Sequence, residues 1–331
     1  MQSQLTYLTK MELFKELDAL KKEEFHAIID QKVKAHLPLW IQASSQVFWL
    51  NSPEEQKNLQ DYAQILDFFL KQGIHRKSVL HAIGGGATTD LAGFIAATIL
   101  RGISWVAIPT TLLAMIDGSI GGKVAVNLPQ GKNLVGAFHQ PNKIFISGDF
   151  LTTLPEVEWS SGKGEMLKYG FLSKEIHQLI MSNKPIEEIA IACAEFKTKL
   201  VEADFKENGQ RILLNLGHTL GHAFEAHLKI PHGHAVAMGM KYLFIVMERK
   251  SALDEWHLLT SKLSLDPKMF ELASYPHFKP DVFFSYLEQD KKKIDQLLKL
   301  VLVEEIGKCV VQEISLNELK LKIRASHDFK G

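Results

Sequence analysis

The first 150 residues alternate short apolar runs with longer amphipathic stretches, and this alternation restricts the fold more than any other feature. The runs "FHAII", "QVFWL", "SVLHAIGGG", "SWVAIPTT" and "KIFISG" have the length of buried strands. Between them, "SPEEQKNLQDYAQILDFFLKQG" predicts a helix that Ser52 caps, that starts at Pro53 and that ends at Gly73. A second helix is predicted over "TTDLAGFIAATILRG". Such alternation predicts a mostly parallel sheet flanked by helices.

From about residue 155 onward, helical periodicity replaces the alternation. Segments such as "SSGKGEMLKYGFL", "GHTLGHAFEAHL" and "HAVAMGMKYLFIVMERK" have apolar residues at helical spacing, and only "LKLVLVEE" and "KCVVQEI" have the pattern of strands. A chain of 331 residues is long enough for two domains. We therefore predict an α/β domain over residues 1–149 and a mostly helical domain over residues 150–331.

Charge, hydropathy and cysteine usage exclude several classes of protein. Lys and Arg number 38 and balance 38 Asp and Glu, so we do not expect a nucleic-acid binder, which normally has a basic excess. No apolar segment reaches the length of about 18 residues that a membrane span needs, and the polar N-terminal segment lacks the apolar core of a signal peptide. Cys193 and Cys309 form no pair motif, which is typical of a reduced cytoplasmic protein.

Three glycines follow the third apolar run, in "IGGGATTDLAG". Glycines let the backbone approach a phosphate, and the N-terminus of the following helix supplies free amides. A tight turn without a ligand is the alternative, because the spacing is not G-x-G-x-x-G. Residues 107–138 set charged side chains among glycines and apolar residues, which favours binding over a solvated loop. Glu165 and Lys168, three residues apart, predict a surface ion pair on one helix face.

Five of the fourteen histidines fall in "LNLGHTLGHAFEAHLKIPHGH". His218 and His222 are four residues apart on a predicted helix, a spacing that lets two imidazoles bind one metal ion. Catalytic zinc sites usually have three protein ligands. Spacing alone leaves the third ligand open between His232 and His234. His227 is predicted to be a surface residue, because it lies on a different helix face from His218.

Taken together, these segments resemble the 3-dehydroquinate synthase family. The segments "GGGATTDLAGFIAATILRG", "PTTLLAMIDGSIGGKVAVNLPQGKNLVGAF", "GEMLKYG", "LNLGHTLGHAFEA" and "HGHAVAMGM" match the family's signature segments in order and spacing, over roughly residues 50 to 310. The resemblance implies a Rossmann-like NAD-binding domain followed by a mainly α-helical domain that binds metal. It also implies a cytoplasmic homodimer that uses NAD and Zn²⁺ or Co²⁺.

The resemblance further implies a carbon–oxygen lyase acting on a sugar phosphate. The expected reaction converts 3-deoxy-D-arabino-heptulosonate 7-phosphate to 3-dehydroquinate and phosphate, in the shikimate pathway of aromatic amino acid biosynthesis. Its stages are a transient NAD-dependent oxidation, phosphate elimination, re-reduction and ring closure. Such a site needs cations to hold a phosphate and a carboxylate.

Residue roles also follow from the resemblance, and they change the ligand set that spacing favours. The implied metal ligands are Glu165, His218 and His232, whereas His222 is expected to face the substrate. Arg101 matches an arginine that acts across a dimer interface. The other matches to substrate-contacting positions are Asp117, Lys123, Asn133, Lys168, Lys197, Arg211, Asn215, and Lys291 or Lys292. The matches to NAD-contacting positions are Asp30, Glu54, Lys57, Gly84, Gly85, Gly86, Asp90, Thr110, Thr111, Asp117, Lys132, Phe150 and Thr153.

A few positions depart from the family's pattern. Lys32 stands in place of an asparagine, Thr89 in place of a glycine, and His234 in place of a glutamate beside a metal ligand. Losing that carboxylate would change the charge around the metal.

Three alternative functions remain open from the sequence. The first is a cyclase acting on sedoheptulose 7-phosphate or glucose 6-phosphate, against which Lys197, Asn215 and His222 argue together. The second is a metal-dependent polyol dehydrogenase, in which Lys123 and Arg101 would lack a role. The third is a non-catalytic paralogue that serves as a binding or scaffold protein.

Overall fold

A computed structural model describes residues 3–20, 24–289, 297–326 and 329 of the chain. The chain forms two compact units. The first comprises the residues up to Pro155 together with Lys197–Lys206, and the second comprises Glu156–Phe196 and the residues from Glu207 onward. The sequence prediction did not include the return of residues 197–206 to the first unit. No helix in the described ranges combines the length and the apolarity that crossing a bilayer requires.

The first unit is an α/β structure. Its strands are β1 (Gln4–Tyr7), β2 (His26–Asp30), β3 (Val47–Leu50), β4 (Val79–Gly84), β5 (Ser104–Pro109), β6 (Lys123–Leu128), β7 (Gly131–Phe138) and β8 (Lys143–Ile146). Its α-helices are α1 (Lys10–Ala19), α2 (Leu39–Gln42), α3 (Pro53–Gln56), α4 (Leu59–Lys71) and α5 (Gly86–Thr98). Shorter helical turns cover Gln31–His36, Ile99–Arg101, Ala114–Gly118 and Gly148–Thr153.

Six strands form one sheet in the order β1-β8-β5-β4-β2-β3, and all their pairings are parallel. This confirms the predicted parallel sheet. The chain runs outward from β2 to β3, returns to β4, and then proceeds in the opposite direction through β5 to β8. The direction of connection therefore reverses between β2 and β4. Open α/β sheets bind ligands at the carboxyl ends of the strands beside such a reversal.

The predicted single helix after β3 is wrong, because the chain forms two helices there. Ser52 makes no side-chain cap, and α3 ends after a single turn. Asn58 caps α4 instead, its side-chain oxygen accepting from the backbone N–H of Gln60 at 2.8 Å. Gly73 follows α4 with φ +81°, the left-handed conformation expected of a residue that ends a helix.

Two further elements of the first unit were not predicted. Strand β1 pairs with β8 at the sheet edge, and β6 and β7 form an antiparallel hairpin within residues 107–138. Gly136 lets the hairpin strands meet closely, because a Cβ atom there would lie 2.3 Å from the carbonyl oxygen of Val124.

The second unit is mostly helical, as predicted. Its helices are α6 (Glu156–Leu172), α7 (Lys174–Met181), α8 (Ile186–Ala203), α9 (His218–Leu228), α10 (His232–Val246), α11 (Lys250–Lys262), α12 (Pro280–Gln289) and α13 (Leu316–Ala325). The part of α8 from Lys197 onward belongs to the first unit. Its strands β9 (Leu298–Glu305) and β10 (Lys308–Ile314) form an antiparallel pair. Shorter turns cover Gln210–Asn215, Pro267–Phe270 and Leu272–Ser274. Helix α10 is buried along nearly its whole length, and α6 and α9 pack against it.

Candidate functional site

Glycines allow α10 to pack against α6 and α9 at very short distance. A Cβ atom at Gly233 would lie 1.7 Å from the carbonyl oxygen of Ser161, and one at Gly164 would lie 2.3 Å from the carbonyl oxygen of Gly233. Farther along α10, a Cβ atom at Gly239 would lie 2.1 Å from the carbonyl oxygen of Gly217. These separations are far below any allowed contact, so only glycine fits at these crossings.

Three residues have side chains that converge, and each of them is adjacent to one of these glycines in the sequence. Glu165 follows Gly164 on α6, His218 follows Gly217 on α9, and His232 precedes Gly233 on α10. Each offers one ligand atom, and the three atoms lie within 4.8 Å of one another. One carboxylate and two imidazoles at this separation are a donor set that suits a divalent transition metal ion.

The environment of the Glu165 carboxylate indicates that a cation would fit between these three residues. The side chain is completely buried, and its Oε1 atom accepts from Nζ of Lys168, which is also buried. The predicted ion pair therefore forms, but its prediction as a surface pair is wrong, because both partners lie in the core. Its Oε2 atom is buried without a hydrogen-bond partner among the described residues and lies 4.0 Å from Nε2 of His232. An unsatisfied buried carboxylate oxygen is energetically costly. A metal ion between the three residues would satisfy it, so the residues present fit the expected group.

Both imidazoles are held in the tautomer that metal binding needs. Nδ1 of His218 lies 3.2 Å from the carbonyl oxygen of Leu216, and Nδ1 of His232 lies 2.9 Å from Oε2 of Glu225. These oxygens only accept, so each Nδ1 is the donor of its contact, and Nε2 keeps its lone pair in the neutral ring. Burial and the nearby Lys168 ammonium lower the pKa of His218 well below its usual value, which keeps the ring neutral.

Glu225 is a residue of this site that was not predicted from the sequence. It lies seven residues after His218 on α9, two turns along the same face, and this spacing is a signal that could have found it. Its contact with Nδ1 of His232 provides a carboxylate beside a proposed ligand. A carboxylate therefore stands beside this proposed ligand, although position 234 carries a histidine.

The converging group does not include His222 or His234, which spacing alone allows as ligands. His222 is exposed, stands nearly perpendicular to His218, and is not one of the three converging residues. His234 is buried, and its Nε2 atom lies 2.8 Å from Oγ of Ser160. Burial lowers the pKa of His234 to about 4. His227 is half-buried and accepts from the backbone N–H of Lys279 at 2.8 Å, which corrects its prediction as a surface residue.

Two other polar residues matched by the resemblance lie in the second unit. Arg211 is buried. Asn215 is half-buried, and its Nδ2 atom donates to Oε1 of Glu207 at 2.9 Å. Lys291 and Lys292 lie outside the described residues.

In the first unit, the residues matched to NAD contacts follow the carboxyl ends of neighbouring strands. Asp30 ends β2, and its side chain accepts from the backbone N–H of Lys32. The glycine triplet joins β4 to α5, and Gly85, at the N-terminal cap of α5, has no side chain that could cap its first amides. Gly86 has open space where a Cβ atom would stand. This turn fits a pyrophosphate on a helix N-terminus.

Other members of this set are close to the glycine turn. The backbone N–H of Thr110 donates to the carbonyl oxygen of Gly84 at 2.9 Å. The side chain of Thr111 would lie 3.1 Å from a Cβ atom at Gly85. Thr89 is buried in α5, and its hydroxyl donates to the carbonyl oxygen of Gly86 at 3.0 Å.

Lys57 links three parts of the first unit. It follows α3 and is buried, and its Nζ atom lies 2.5 Å from both Oδ2 of Asp90 and Oδ1 of Asn133. Burial raises the pKa of Asp90 above its usual value, and the ammonium of Lys57 offsets only part of this rise. Asn133, matched to a substrate contact, thus bonds to a residue matched to an NAD contact. Glu54 accepts from Nδ2 of Asn127 at 3.0 Å, and Nζ of Lys132 lies 3.9 Å from it.

The remaining matched residues also lie in the first unit. Nζ of Lys197 lies 3.0 Å from Oδ2 of Asp117 and donates to its carbonyl oxygen at 2.8 Å. Lys123 is exposed at the start of β6. Arg101 is exposed with φ +71°, a conformation that is strained in a residue other than glycine. After β8, Phe150 is buried and Thr153 is exposed in the turn Gly148–Thr153.

Comparison with known sequences agrees with the resemblance. Residues 47–161 match the family model for the 3-dehydroquinate synthase N-terminal domain, and residues 162–293 match the model for the C-terminal domain. The chain is similar to a 3-dehydroquinate synthase of Streptococcus pneumoniae (strain Hungary19A-6), with 40% identity over 287 residues. That alignment covers 83% of this chain and 80% of the relative.

Comparison with solved structures confirms the fold. A 2-deoxy-scyllo-inosose synthase complexed with carbaglucose-6-phosphate, NAD⁺ and Co²⁺ has a TM-score of 0.82 and 25% identity, covering 97% of this chain and 96% of that one. The 2-epi-5-epi-valiolone synthase from Streptomyces hygroscopicus subsp. jinggangensis 5008, with NAD⁺ and Zn²⁺ bound, has a TM-score of 0.83 and 22% identity, covering 98% and 96%. The two family matches together span most of the chain, which therefore belongs to the 3-dehydroquinate synthase family.

Proposed function

We propose that this chain is a 3-dehydroquinate synthase. It converts 3-deoxy-D-arabino-heptulosonate 7-phosphate to 3-dehydroquinate and inorganic phosphate, as a carbon–oxygen lyase that uses NAD and Zn²⁺ or Co²⁺. The main observation behind the proposal is the buried Oε2 atom of Glu165, which has no hydrogen-bond partner among the described residues and lies beside the ligand atoms of His218 and His232. Membership of the family and the names of the similar proteins support the same activity.

The proposed metal ligands are Glu165, His218 and His232. When bound, the ion would supply Lewis-acid polarisation of a substrate oxygen. Lys168 has a different task. Its buried ammonium donates to Oε1 of Glu165, which holds the carboxylate in place and offsets its charge within the helical core. Glu225 orients His232 through Nδ1, as carboxylates do beside many zinc-bound histidines.

The proposed NAD site uses the glycine turn and its neighbours. Backbone amides of Gly85 and Gly86 at the start of α5 would receive the pyrophosphate. The ion pair between Lys57 and Asp90, which lies on α5, holds these side chains in place next to the turn. NAD, when bound, would supply reversible hydride transfer, with no net oxidation of the substrate.

The substrate carries a phosphate and a carboxylate, and we propose basic side chains of this chain as their partners. Lys123, Lys197 and Arg211 supply cations for charge-assisted hydrogen bonds. Asp117 holds Lys197 at 3.0 Å, which fixes the direction of its ammonium. His222, exposed beside His218, is proposed to move protons at the substrate rather than to bind the metal.

We further infer a homodimer in the cytoplasm. Arg101 is exposed on a left-handed backbone segment, and Leu100 before it has φ +52°. Two such residues in sequence store strain that is typical of functional sites. In the proposal, each subunit presents Arg101 to the neighbouring one. Cys193 and Cys309 are free thiols, which suits a reducing compartment.

A second candidate is a cyclase for a different sugar phosphate, favoured by the structural likeness to 2-deoxy-scyllo-inosose synthase. The two candidates are separated by measuring phosphate release from the heptulosonate 7-phosphate, sedoheptulose 7-phosphate and glucose 6-phosphate, each with NAD⁺ and Zn²⁺ or Co²⁺. The proposal expects the highest kcat/KM for the heptulosonate. Preference for either other sugar would establish the second candidate, and release from none would favour a non-catalytic protein.

A further inference from the structure

A cavity in the second unit contains none of the residues assigned above. Its volume is about 390 Å³, within the range of small-molecule sites. Its floor is formed by the buried side chains of Ile180, Ile189 and Leu263. The half-buried indole of Trp159, on α6, forms one wall. The cavity therefore offers an apolar surface on which a ring can lie.

Among the described residues, two lysines beside this apolar surface have no acidic partner. Lys163 and Lys262 both line the cavity and are half-buried. Nζ of Lys163 lies 5.9 Å from the ring centroid of Trp159, and Nζ of Lys262 lies 3.5 Å from Oδ1 of Asn183. Across the described ranges, no carboxylate lies within ion-pair distance of either ammonium.

The third lysine of the lining differs from these two. Nζ of Lys184 lies 3.3 Å from Oε1 of Glu188, so its charge is already balanced. Glu156, the acidic residue in the lining, is exposed at the start of α6. In the part of the chain that the structure describes, the ammonium groups of Lys163 and Lys262 therefore remain without an ion-pair partner. Half-burial strengthens their attraction for an anion, because less solvent screens it.

We propose that this cavity binds a small carboxylate carried on an apolar ring. The carboxylate pairs with Lys163 and Lys262, and the ring packs against Trp159 and the apolar floor. A free inorganic anion would make no contact with the apolar floor. An uncharged ring would leave both ammonium groups without an anionic partner. The combination of the two surfaces selects a ligand that has both an anionic group and a flat apolar body.

The proposal is tested with 2-naphthoate as the probe and protein labelled with 5-fluorotryptophan. The chain has five tryptophans, and the signal that disappears in Trp159→Phe identifies Trp159. We expect naphthoate to shift the Trp159 signal with a Kd of about 1 mM, the range for so small a ligand. A Trp159 signal that does not move would overturn the proposal, even if naphthoate binds elsewhere in the protein.

Charge recognition is tested separately. The double variant Lys163→Met/Lys262→Met should weaken naphthoate binding by about tenfold or more. Lys250→Met is the matched control, because Lys250 is exposed at the opposite end of the helix that carries Lys262. Unchanged binding by the double variant would contradict the proposal.

A further comparison uses only the wild-type protein and holds even if the double variant folds poorly. The alcohol 2-naphthylmethanol has the same rings without the charge, and inorganic phosphate has the charge without the rings. Both should shift the Trp159 signal far less than naphthoate does. Equal binding of the alcohol would show that the cavity recognises apolar surface alone, and equal binding of phosphate would show that it recognises charge alone.

Discussion

Nδ1 of His232 lies 2.9 Å from Oε2 of Glu225, so the imidazole is fixed with its Nε2 lone pair available to a metal ion. Carboxylates in this position raise the basicity of the histidine and prevent its rotation. The contact joins α9, which carries His218, to the first residue of α10. It therefore links two of the three proposed ligands.

Removing this carboxylate should weaken metal binding without unfolding the protein. We expect Glu225→Ala to lower Zn²⁺ affinity by about 10- to 100-fold, and Glu225→Gln by less, because the amide oxygen still accepts from Nδ1. Competition with a chromophoric chelator measures the affinity directly. The matched control is Glu255→Ala, which removes a similar contact at 2.7 Å, to His177. An equal loss of affinity in both variants would show that the role of Glu225 is general packing.

The three histidines of the candidate site should behave differently when each is replaced by alanine. His218→Ala and His232→Ala should lose bound metal, because each removes a converging ligand atom. His222→Ala should retain the metal and lose turnover. Metal content per protein, measured by mass spectrometry, together with phosphate release distinguishes these outcomes. Loss of metal in all three variants would restore the ligand set that spacing alone favours.

The glycine contact between α6 and α10 should be indispensable for the second unit. We expect Gly233→Ala to lower the free energy of unfolding by about 3 kcal/mol or more, because the added Cβ atom would overlap the backbone of Ser161. Gly86→Ala is the control, since open space surrounds that position and its φ is not positive. Denaturant unfolding measures both. A Gly233→Ala protein as stable as the wild type would contradict the close crossing.

Acid should destabilise the first unit through His81. Burial lowers the pKa of His81 to about 4, from 6.5 in the unfolded chain. Between these values only the unfolded chain binds the proton, so the free energy of unfolding falls as the pH falls from 6.5 towards 4, by on the order of 3 kcal/mol. His81→Gln should reduce this dependence, and the exposed His257→Gln should not. Denaturant unfolding at a series of pH values measures it, and identical slopes in all three proteins would refute the assignment.

The sequence predicted those parts of the fold whose pattern is set by burial. Strands β2, β4 and β5 are apolar runs because their consecutive residues, which point to opposite faces of the sheet, are nearly all buried. The helices of the second unit have clear apolar periodicity. Strand β7 was missed because most of its residues are exposed, so it has no apolar run to indicate a strand. The break at Asn58 was missed because the helical pattern continues across it, and only the cap marks the new start.

Spacing could not predict the converging group of Glu165, His218 and His232, because it depends on contacts between helices. His218 and His222 have suitable spacing on one helix, yet the converging partners of His218 come from α6 and α10. What brings Glu165 there is the contact of Gly164 with Gly233, residues far apart in sequence. The family resemblance identified the three residues correctly as a group, although their role in binding metal is still a prediction.

The most direct test of the proposed function measures phosphate release from 3-deoxy-D-arabino-heptulosonate 7-phosphate by the metal-loaded protein, with far less NAD⁺ than substrate. We expect one phosphate and one 3-dehydroquinate for each substrate molecule consumed. Each NAD should support many turnovers, and NADH should not accumulate. Glu165→Ala should abolish this release. Phosphate release that stops once the NAD⁺ is converted to NADH, or no release from this substrate, would contradict the proposed 3-dehydroquinate synthase activity.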